Sequence, residues 1–325
     1  MTKTMADIFR QKRLMATWWL LSAFLCVFAQ GTDVPDMKSS PVEELGVRKH
    51  AWMVGGGFSN VLDTYLSPYI YKGGEIRQMR ETQRLTRMFW NDGRRTKDDN
   101  EGRRTNDDSA GTAPRVSFQT LLDLHGSYLE SRAGNVNGWA GGVRYGLGWL
   151  YRVTPEKNMG SVTDAWTSTQ FQRFSLEMGP MLSGYLGAVY NERNGNNPAQ
   201  AKLDLMLDLS AACSYCFRLF HHPFALRYQL TVPFAGVAFS PNYGQSYYEA
   251  FTLGNYDHNV VFANVVNMPS LRHLLTLDVP LSRRSRTALR VGYVGELMQS
   301  TFNHIKYHSY SHCLMIGFTQ SFRKL

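Results

Sequence analysis

Apolar and polar residues alternate in LDLMLDLSAAC, residues 203–213. Leucine occupies positions 203, 205, 207 and 209, and Asp204 and Asp208 lie between the leucines. A period of two is the pattern of a β-strand with one apolar and one polar face. In a soluble sheet the apolar face is buried and the aspartates face water, whereas in a membrane barrel the apolar face contacts lipid. The fold class depends on which of these two arrangements the strand adopts.

The same alternation recurs along the 325-residue chain and predicts ten strands. Most of them exceed the about five or six residues common in globular sheets and reach the roughly 9 to 11 that a tilted membrane strand needs. The predicted strands are 50–59, 75–89, 115–130, 138–152, 169–187, 202–219, 223–238, 270–281, 286–300 and 307–322. One further hairpin within 59–72 would give the alternative of twelve strands.

The N-terminus has the pattern of a signal peptide. Basic residues between Lys3 and Arg13 precede an apolar run, and the small-residue site Val27-Phe28-Ala29 ends it. The run is about 14 residues, shorter than the roughly 20 of a membrane-spanning helix. We therefore predict a signal peptide at 1–29, a periplasmic lead-in at 30–49 and a barrel at 50–325.

Charge composition argues against a nucleic-acid partner. The net charge of +9 falls to +6 once residues 1–29 are removed, because four Lys/Arg and Asp7 are lost. No Lys/Arg run with interleaved aromatic residues is present. Residues 91–114 instead contain five Lys/Arg and six Asp/Glu, a mixed-charge composition that predicts a disordered loop.

The polar face of the predicted strands combines arginine with carboxylates and contains almost no lysine. Arginine pairs bidentately with carboxylates in confined places, where an unpaired charge costs several kcal/mol. A narrow polar lumen explains this bias, and a solvated face does not require it. The six arginines and six carboxylates, with one histidine, are Asp123, His125, Arg144, Arg173, Glu177, Asp204, Asp208, Arg218, Arg227, Arg272, Asp278, Arg290 and Glu296.

These faces answer the question that residues 203–213 raise, since the leucines are predicted to face lipid and the aspartates a lumen. The predicted fold is an all-β, transmembrane, antiparallel up-and-down β-barrel of about ten, alternatively twelve, strands with a charge-filled lumen. With both termini periplasmic, the tight turns at 221–223 and 282–285 are periplasmic and the long segment 240–269 is external. By the same parity the loop 91–114 is periplasmic.

The last predicted strand shows how its outward face changes along its length. His308, Tyr310 and His312 precede Leu314 and Ile316 on one face, as where an aromatic girdle meets an apolar band. Four-residue spacing on a strand separates such histidines by about 13 Å, which is too far for one shared ion. We predict no metal site and no cofactor.

Four segments carry a resemblance to known proteins: YNERNGNNPAQAK (190–202), FSPNYGQSYYEAFTLGN (239–255), LRVGYVGE (289–296) and HIKYHSYSHCLMIGF (304–318). They resemble a family of Bacteroidota barrel proteins that carries a "domain of unknown function" label, among the outer-membrane β-barrels of Gram-negative bacteria. The resemblance covers roughly residues 50 to 322. It implies the barrel fold, the cell outer membrane as location, outer-membrane lipids as surroundings, and folding with periplasmic chaperones and the barrel-assembly machinery. It implies no activity.

Three function classes remain open. A lumen of ten to twelve strands filled by charged side chains predicts a narrow, porin-like pore for small solutes or a structural role in the envelope. Asp123 and His125 share one face and would allow a hydrolase at the barrel rim, with Asp204 and Asp208 as a second acidic pair. The aromatic residues of 240–269 would allow binding of a surface ligand or glycan. Those residues are Tyr243, Tyr247, Tyr248, Phe251 and Tyr256.

Overall fold

A computed structural model describes residues 47–86, 116–131, 133, 136–154, 173–192, 195, 197–219, 222–256, 258–281 and 287–323. The predicted signal peptide, most of the predicted lead-in and the mixed-charge loop lie outside these residues. The described chain is all-β apart from one short helix, and no helix within it is long and apolar enough to cross a membrane.

The strands form a closed antiparallel barrel, which confirms the predicted fold class. Consecutive strands pair from β1 to β8 and from β9 to β11, β7 also pairs with β9, and β1 pairs with β11 to close the ring. The strands are β1 (Val47–Asp63), β2 (Ser67–Thr86), β3 (Val116–Ser131), β4 (Val136–Arg152), β5 (Arg173–Asn191), β6 (Ala199–Leu219), β7 (His222–Phe239), β8 (Val260–Asn264), β9 (Leu271–Pro280), β10 (Thr287–Phe302) and β11 (Ile305–Arg323).

The barrel has ten strand positions in the described part of the chain, because β8 and β9 share one of them. β8 pairs with the last residues of β7, and β9 pairs with the first part of the same strand. Residues 240–269, predicted as a single loop, therefore contain a strand and also the helix α1 (Tyr247–Phe251).

The alternative of twelve strands is wrong, and the reason lies in residues 59–72. Ser59 pairs with Gly73 and Asn60 with Lys72, so these residues extend β1 and β2 rather than forming an extra hairpin. The connecting turn begins at Asp63, whose carboxylate accepts a hydrogen bond from the Tyr65 amide at 3.1 Å. β1 begins at Val47, three residues before the predicted barrel.

β10 and β11 are joined by a two-residue turn at Asn303 and His304. Both residues have positive φ angles, 49° and 65°. Two consecutive left-handed residues are typical of a type I′ hairpin turn, whose twist matches that of the strands it joins. Asn303 also donates to the carbonyl oxygens of Ser240 and His258, at 3.0 and 2.9 Å.

The barrel is inside-out relative to a soluble sheet. On β6, Leu203, Leu205, Leu207 and Leu209 are 40 to 52% exposed, whereas Asp208 between them is fully buried. Exposed apolar side chains at alternate positions recur on the other long strands, as at Trp139 and Ile316. The apolar face therefore forms the outer wall, as the strand pattern predicts for contact with lipid.

The two ends of the barrel differ in what they carry. We call the end with the first residues of β1 and the last of β11 the terminal end, and the opposite end, which carries α1, the helix end. The paired residues Leu219 and His222 lie at the terminal end, and so do the last residues of β9 and the first of β10. This distribution agrees with the predicted parity, although 282–286 lie outside the described residues.

Apolar side chains fill part of the interior at two levels. Near the helix end, Leu66, Met206, Met268 and Phe302 belong to a cluster of buried residues. A second cluster, nearer the terminal end, contains Met53, Met79, Leu274, Val294, Cys313 and Met315. Two larger groups of charged side chains, and an ion pair of Lys202 with Asp63 at 2.9 Å, accompany these apolar levels.

Candidate functional site

The first group of charges surrounds Arg77, one of the most deeply buried side chains in the described barrel. Its Nε donates to Glu75 at 2.9 Å, Nη2 donates to Glu296 at 2.9 Å, and Nη1 lies 3.5 Å from Asp123. Three carboxylates from three strands thus share one guanidinium. We call the central cluster the set formed by Glu75, Arg77, Asp123, Arg144, Asp204, Asp208, Arg272 and Glu296.

Arg144 links the central cluster across the lumen. Its Nη2 lies 3.3 Å from Glu296 and its Nη1 lies 3.4 Å from Asp204, while its guanidinium packs over the Tyr185 ring at 4.6 Å. Arg272 makes a separate pair with Asp208 at 2.8 Å. Every carboxylate of this cluster therefore has an arginine partner, as buried charges require.

The second group lies nearer the terminal end of the lumen. Arg290 binds Asp278 through two nitrogens, at 2.5 and 2.7 Å, and Glu81 through the third at 2.6 Å. Arg152 and Arg227 both lie 3.4 Å from Glu177. We call the terminal cluster the set formed by Glu81, Arg152, Glu177, Arg227, Asp278 and Arg290.

A pair of amides lies close to the terminal cluster. Gln119 and Gln229 exchange two hydrogen bonds, at 2.9 and 3.0 Å, although they are 110 residues apart. Gln119 also donates to Glu81 at 2.8 Å, and Gln229 donates to Ser210 at 2.9 Å. Buried polar groups in this part of the lumen are thus joined to one another across the barrel.

The structure places ten of the predicted lumenal residues in ion pairs with one another or with residues of β2. They are Asp123, Arg144, Glu177, Asp204, Asp208, Arg227, Arg272, Asp278, Arg290 and Glu296. Arg173 and Arg218 lie on β5 and β6, but their side chains are outside the described residues.

Sequence reasoning missed Glu75, Arg77 and Glu81, all on β2. These residues occupy odd-numbered positions and so share the inward face of β2. Gln78 and Arg80, at even-numbered positions between them, are also polar but exposed. Because β2 has no continuous apolar face here, its inward side cannot be separated from its outward side by hydropathy alone. The odd-numbered positions that contact Glu296 and Arg290 become recognisable only in the barrel.

Asp123 and His125 do not form the arrangement that a hydrolase would need. Asp123 pairs with Arg77, whereas His125 stacks on Tyr185 and its Nε2 lies 3.3 Å from the Tyr185 hydroxyl. The His125 Nδ1 has no hydrogen-bond partner, so no carboxylate orients the ring. Both residues lie well inside β3, six or more positions before its end at Ser131, rather than at the rim.

The proposed acidic partners are likewise engaged elsewhere. Asp208 pairs with Arg272 and Asp204 with Arg144. Within the described ranges, no group of three or more His, Cys, Asp or Glu side chains is arranged to hold a metal ion. The described lumenal carboxylates are therefore held by arginines, although the central cluster has five carboxylates for three arginines.

At the helix end, the segment that contains α1 is held by hydrogen bonds, and its outer side is exposed to solvent. α1 has a capping box, in which Ser246 accepts from the Glu249 amide and Glu249 accepts from the Ser246 amide. Gln245 binds Asn255 and Asn259 within the segment, and its carbonyl oxygen accepts from the Tyr65 hydroxyl at 2.7 Å. These bonds hold 240–259 against the barrel.

The predicted surface aromatics divide into two groups in this segment. Tyr247 is partly buried, its ring stacks on Phe251 at 5.9 Å, and its hydroxyl accepts from the Ala201 amide at 2.6 Å. Tyr243, Tyr248, Phe251 and Tyr256 are instead 58 to 69% exposed. Burial raises the pKa of Tyr247 to about 12, although its hydrogen bond from Ala201 acts in the opposite direction.

Comparison with known protein families assigns the chain to one of them. The family model described as "Protein of unknown function (DUF3316)" matches residues 18–99 and 100–325. The chain belongs to this family. No curated protein sequence matches the chain significantly.

Solved structures of outer-membrane barrels are similar to this DUF3316 member in fold. The outer membrane protease OmpT from Escherichia coli has 7% identity and a TM-score of 0.42, with 88% of this chain and 99% of that chain covered. The translocator domain of the autotransporter NalP from Neisseria meningitidis has 11% identity and a TM-score of 0.35, with 97% and 98% covered. An outer membrane channel from Pseudomonas putida F1 has 8% identity and a TM-score of 0.30, with 90% and 100% covered.

Proposed function

We propose that this protein is a closed structural barrel of the outer membrane of a Gram-negative bacterium. The observation that carries this proposal is the filled lumen. Arg77, Arg144 and Arg290 each bridge carboxylates from more than one strand across the interior. Such pairs join strands across the interior and fill it with bonded side chains, which suits a rigid support better than a solute path.

The volumes of the cavities in the described barrel support a closed state. Four of them have volumes of about 10 to 70 Å³. Because one water molecule needs about 10–15 Å³, they accommodate from one to a few waters each. The cavity of about 70 Å³ is lined by Lys49, Arg152 and Arg227 among others, at the terminal end. The apolar cluster with Met206, Met268 and Phe302 lies between the central cluster and the helix end.

The surroundings of the protein follow from this proposal. The outer wall contacts outer-membrane lipids, with the terminal end in the periplasm and the helix end outside the cell. Periplasmic chaperones and the barrel-assembly machinery are the partners for its folding. The resemblance of residues 190–202 and 304–318 to Bacteroidota barrels supports that group as the source.

Electrical recording in planar lipid bilayers tests whether the lumen is closed. We expect the purified barrel to give a flat current at moderate voltages. A triple variant, Met206→Ala, Met268→Ala and Phe302→Ala, truncates three large side chains of the apolar cluster near the helix end and is expected to leak. A matched variant of three outward residues, Leu205→Ala, Leu207→Ala and Leu209→Ala, should stay silent. Discrete single-channel steps from the unmodified protein would overturn the closed barrel in favour of a narrow pore.

The exposed aromatics of the helix end support binding of a surface ligand or glycan as a second candidate. Tyr243, Tyr248 and Tyr256 present aromatic faces to solvent on a segment that is fixed by capping and amide hydrogen bonds. Rigid aromatic side chains bind with little loss of conformational entropy, and their faces stack on apolar faces of sugars or proteins.

A glycan array tests the second candidate. We expect retention of at least one glycan class by the unmodified protein and its loss in the triple variant Tyr243→Ser, Tyr248→Ser and Tyr256→Ser. Tyr145→Leu, on the outer wall, serves as control and should bind like the unmodified protein. Equal retention by both variants would remove the aromatic segment as the binding surface.

A further inference from the structure

The outer wall at the terminal end carries an unusual group of cations on β1 and β2. Elsewhere at this end, exposed outward positions are mostly aromatic or aliphatic, as at Trp149 and Phe318. On β1 and β2, by contrast, Arg48, Arg80 and Arg84 are exposed. We call these three residues the arginine strip.

The strand register places the arginine strip on one face. Arg48 lies directly opposite Arg84, and Arg80 lies opposite Trp52, which is 46% exposed on the outer wall. Residues two apart on a strand share a face, so the even-numbered positions of β1 and β2 point outward together. Between the arginines, His50 lies opposite Thr82, and its Nδ1 is 3.1 Å from the Thr82 hydroxyl. Arg84, near the end of β2, also borders the lumenal cavity at the terminal end.

The arginine strip differs from the lumenal arginines in its partners. Arg77 and Arg290, for example, have carboxylates at 2.5 to 2.9 Å. In the part of the chain that the structure describes, no ion pair joins the arginine strip to a carboxylate. At the helix end, the outward Lys72 does have an acidic neighbour, since Glu130 lies opposite it.

Two arginines directly opposite each other repel, and a guanidinium beside hydrocarbon is unfavourable. Both costs fall when an anion binds between the guanidinium groups. The anion must be available at the level of the aromatic wall residues, where Trp52 and Phe318 are paired neighbours. In a bilayer that level is the headgroup region, where phosphates lie.

We propose that the arginine strip binds the phosphate of an anionic phospholipid in the leaflet that faces the terminal end. The planar guanidinium fork of arginine matches phosphate oxygens bidentately, and Trp52 covers the adjoining glycerol and acyl region. The site rests on the proposed insertion of the barrel in a membrane. It fixes one lipid class to one side of the barrel.

Native mass spectrometry of the barrel in detergent, titrated with phosphatidylglycerol or phosphatidylcholine, measures the site directly. We expect selective retention of phosphatidylglycerol. The double variant Arg48→Gln and Arg80→Gln should weaken this retention about tenfold or more, since each basic residue near an anionic headgroup contributes on the order of a factor of five. Lys72→Gln, an outward cation at the opposite end, is the matched control and should bind like the unmodified protein.

A further variant keeps the test valid if the double variant misfolds. Arg80→Lys keeps the charge but not the bidentate fork, so we expect weaker retention than for the unmodified protein and stronger retention than for the double variant. Equal phosphatidylglycerol retention by all of these proteins would overturn the site. So would stronger retention of lipopolysaccharide through the same arginines, or equal competition by free inorganic phosphate.

Flotation with phosphatidylcholine vesicles separates this inference from the proposed barrel function. A protein that inserts in these vesicles but shows no preference for phosphatidylglycerol retains the membrane barrel and loses the lipid site. A protein that stays in the aqueous fraction contradicts both.

Discussion

Arg77 on β2 and Glu296 on β10 meet inside the barrel, where Arg77 Nη2 donates to Glu296 Oε2 at 2.9 Å. The two residues are 219 positions apart in the sequence. Arg77 also binds Glu75 and lies 3.5 Å from Asp123, while Glu296 also approaches Arg144. This single contact therefore joins two strands that β1 and β11 separate in the ring, and it connects most of the central cluster.

Removing the Arg77 guanidinium should destabilise the barrel strongly. Arg77→Met leaves the carboxylates of Glu75, Asp123 and Glu296 buried without their shared partner, and breaking a buried pair in this way costs about 3–5 kcal/mol. Urea unfolding in lipid vesicles, followed by tryptophan fluorescence, measures the loss. Lys72→Met, exposed on the same strand, should change stability by no more than about 0.5 kcal/mol. Similar values for the two variants would show that the central cluster does not support the fold.

The paired amides of Gln119 and Gln229 allow a double-mutant cycle. Each single variant, Gln119→Leu or Gln229→Leu, leaves a buried amide without its partner and should cost about 1–3 kcal/mol. The double variant should cost less than the sum of the two, because neither amide then remains unsatisfied. Unfolding free energies of the four proteins give the coupling. Strict additivity would mean that waters, rather than the facing amide, satisfy each side chain.

The sequence predicts the barrel because the strands with the clearest alternation separate an apolar face from a polar face. On β6, leucine alternates with aspartate and serine over its first half, and the structure exposes the former and buries the latter. β2 gives no such signal, since Arg80 on its outer face is as polar as Arg77 and Glu81 on its inner face. The pattern at 59–72 is ambiguous for a related reason, because Gly73 and Gly74 interrupt the apolar alternation where β2 continues.

The candidate site was only partly predictable for a physical reason. A period of two places Asp123 and His125 on the same face, but it does not select their partners. Those partners, Arg77 and Tyr185, come from β2 and β5, and the barrel closure brings them there. Spacing within one strand therefore predicts which residues enter the lumen, whereas their pairing depends on contacts between strands that are far apart in sequence.

The close approach of β1 to β11 predicts different effects of alanine substitution at two adjacent glycines, Gly56 and Gly57. A Cβ on Gly57 would lie 1.8 Å from the His312 carbonyl oxygen, whereas one on Gly56 would approach no atom closer than the Glu75 carbonyl oxygen at 3.4 Å. Since backbone cannot yield as a flexible side chain can, Gly57→Ala should cost roughly 1–3 kcal/mol. Gly56→Ala should be nearly neutral, and its unfolding midpoint in urea is the control. Equal midpoints for the two variants would contradict the close packing of this pair of strands.

Attachment of α1 to the barrel should weaken at high pH. Burial raises the pKa of Tyr247 to about 12, and burial together with the charges of Asp63 and Glu249 raises the pKa of Tyr65. In the unfolded or undocked segment a tyrosine titrates near its ordinary value of about 10. The docked segment therefore holds its protons more tightly, so its stability is complete below about pH 10 and falls as pH rises toward 12.

Absorbance of tyrosinate near 295 nm, recorded with increasing pH, follows this titration, and limited proteolysis of 240–259 follows the docking. We expect Tyr247→Phe to remove one phenol from the late part of the titration, with protease sensitivity rising over the same pH range in the unmodified protein. Tyr243→Phe, which removes an exposed phenol of the same segment, should leave the late titration in place. If Tyr247→Phe leaves the late phenol and the pH dependence of cleavage unchanged, Tyr247 does not fasten α1 to the Ala201 backbone.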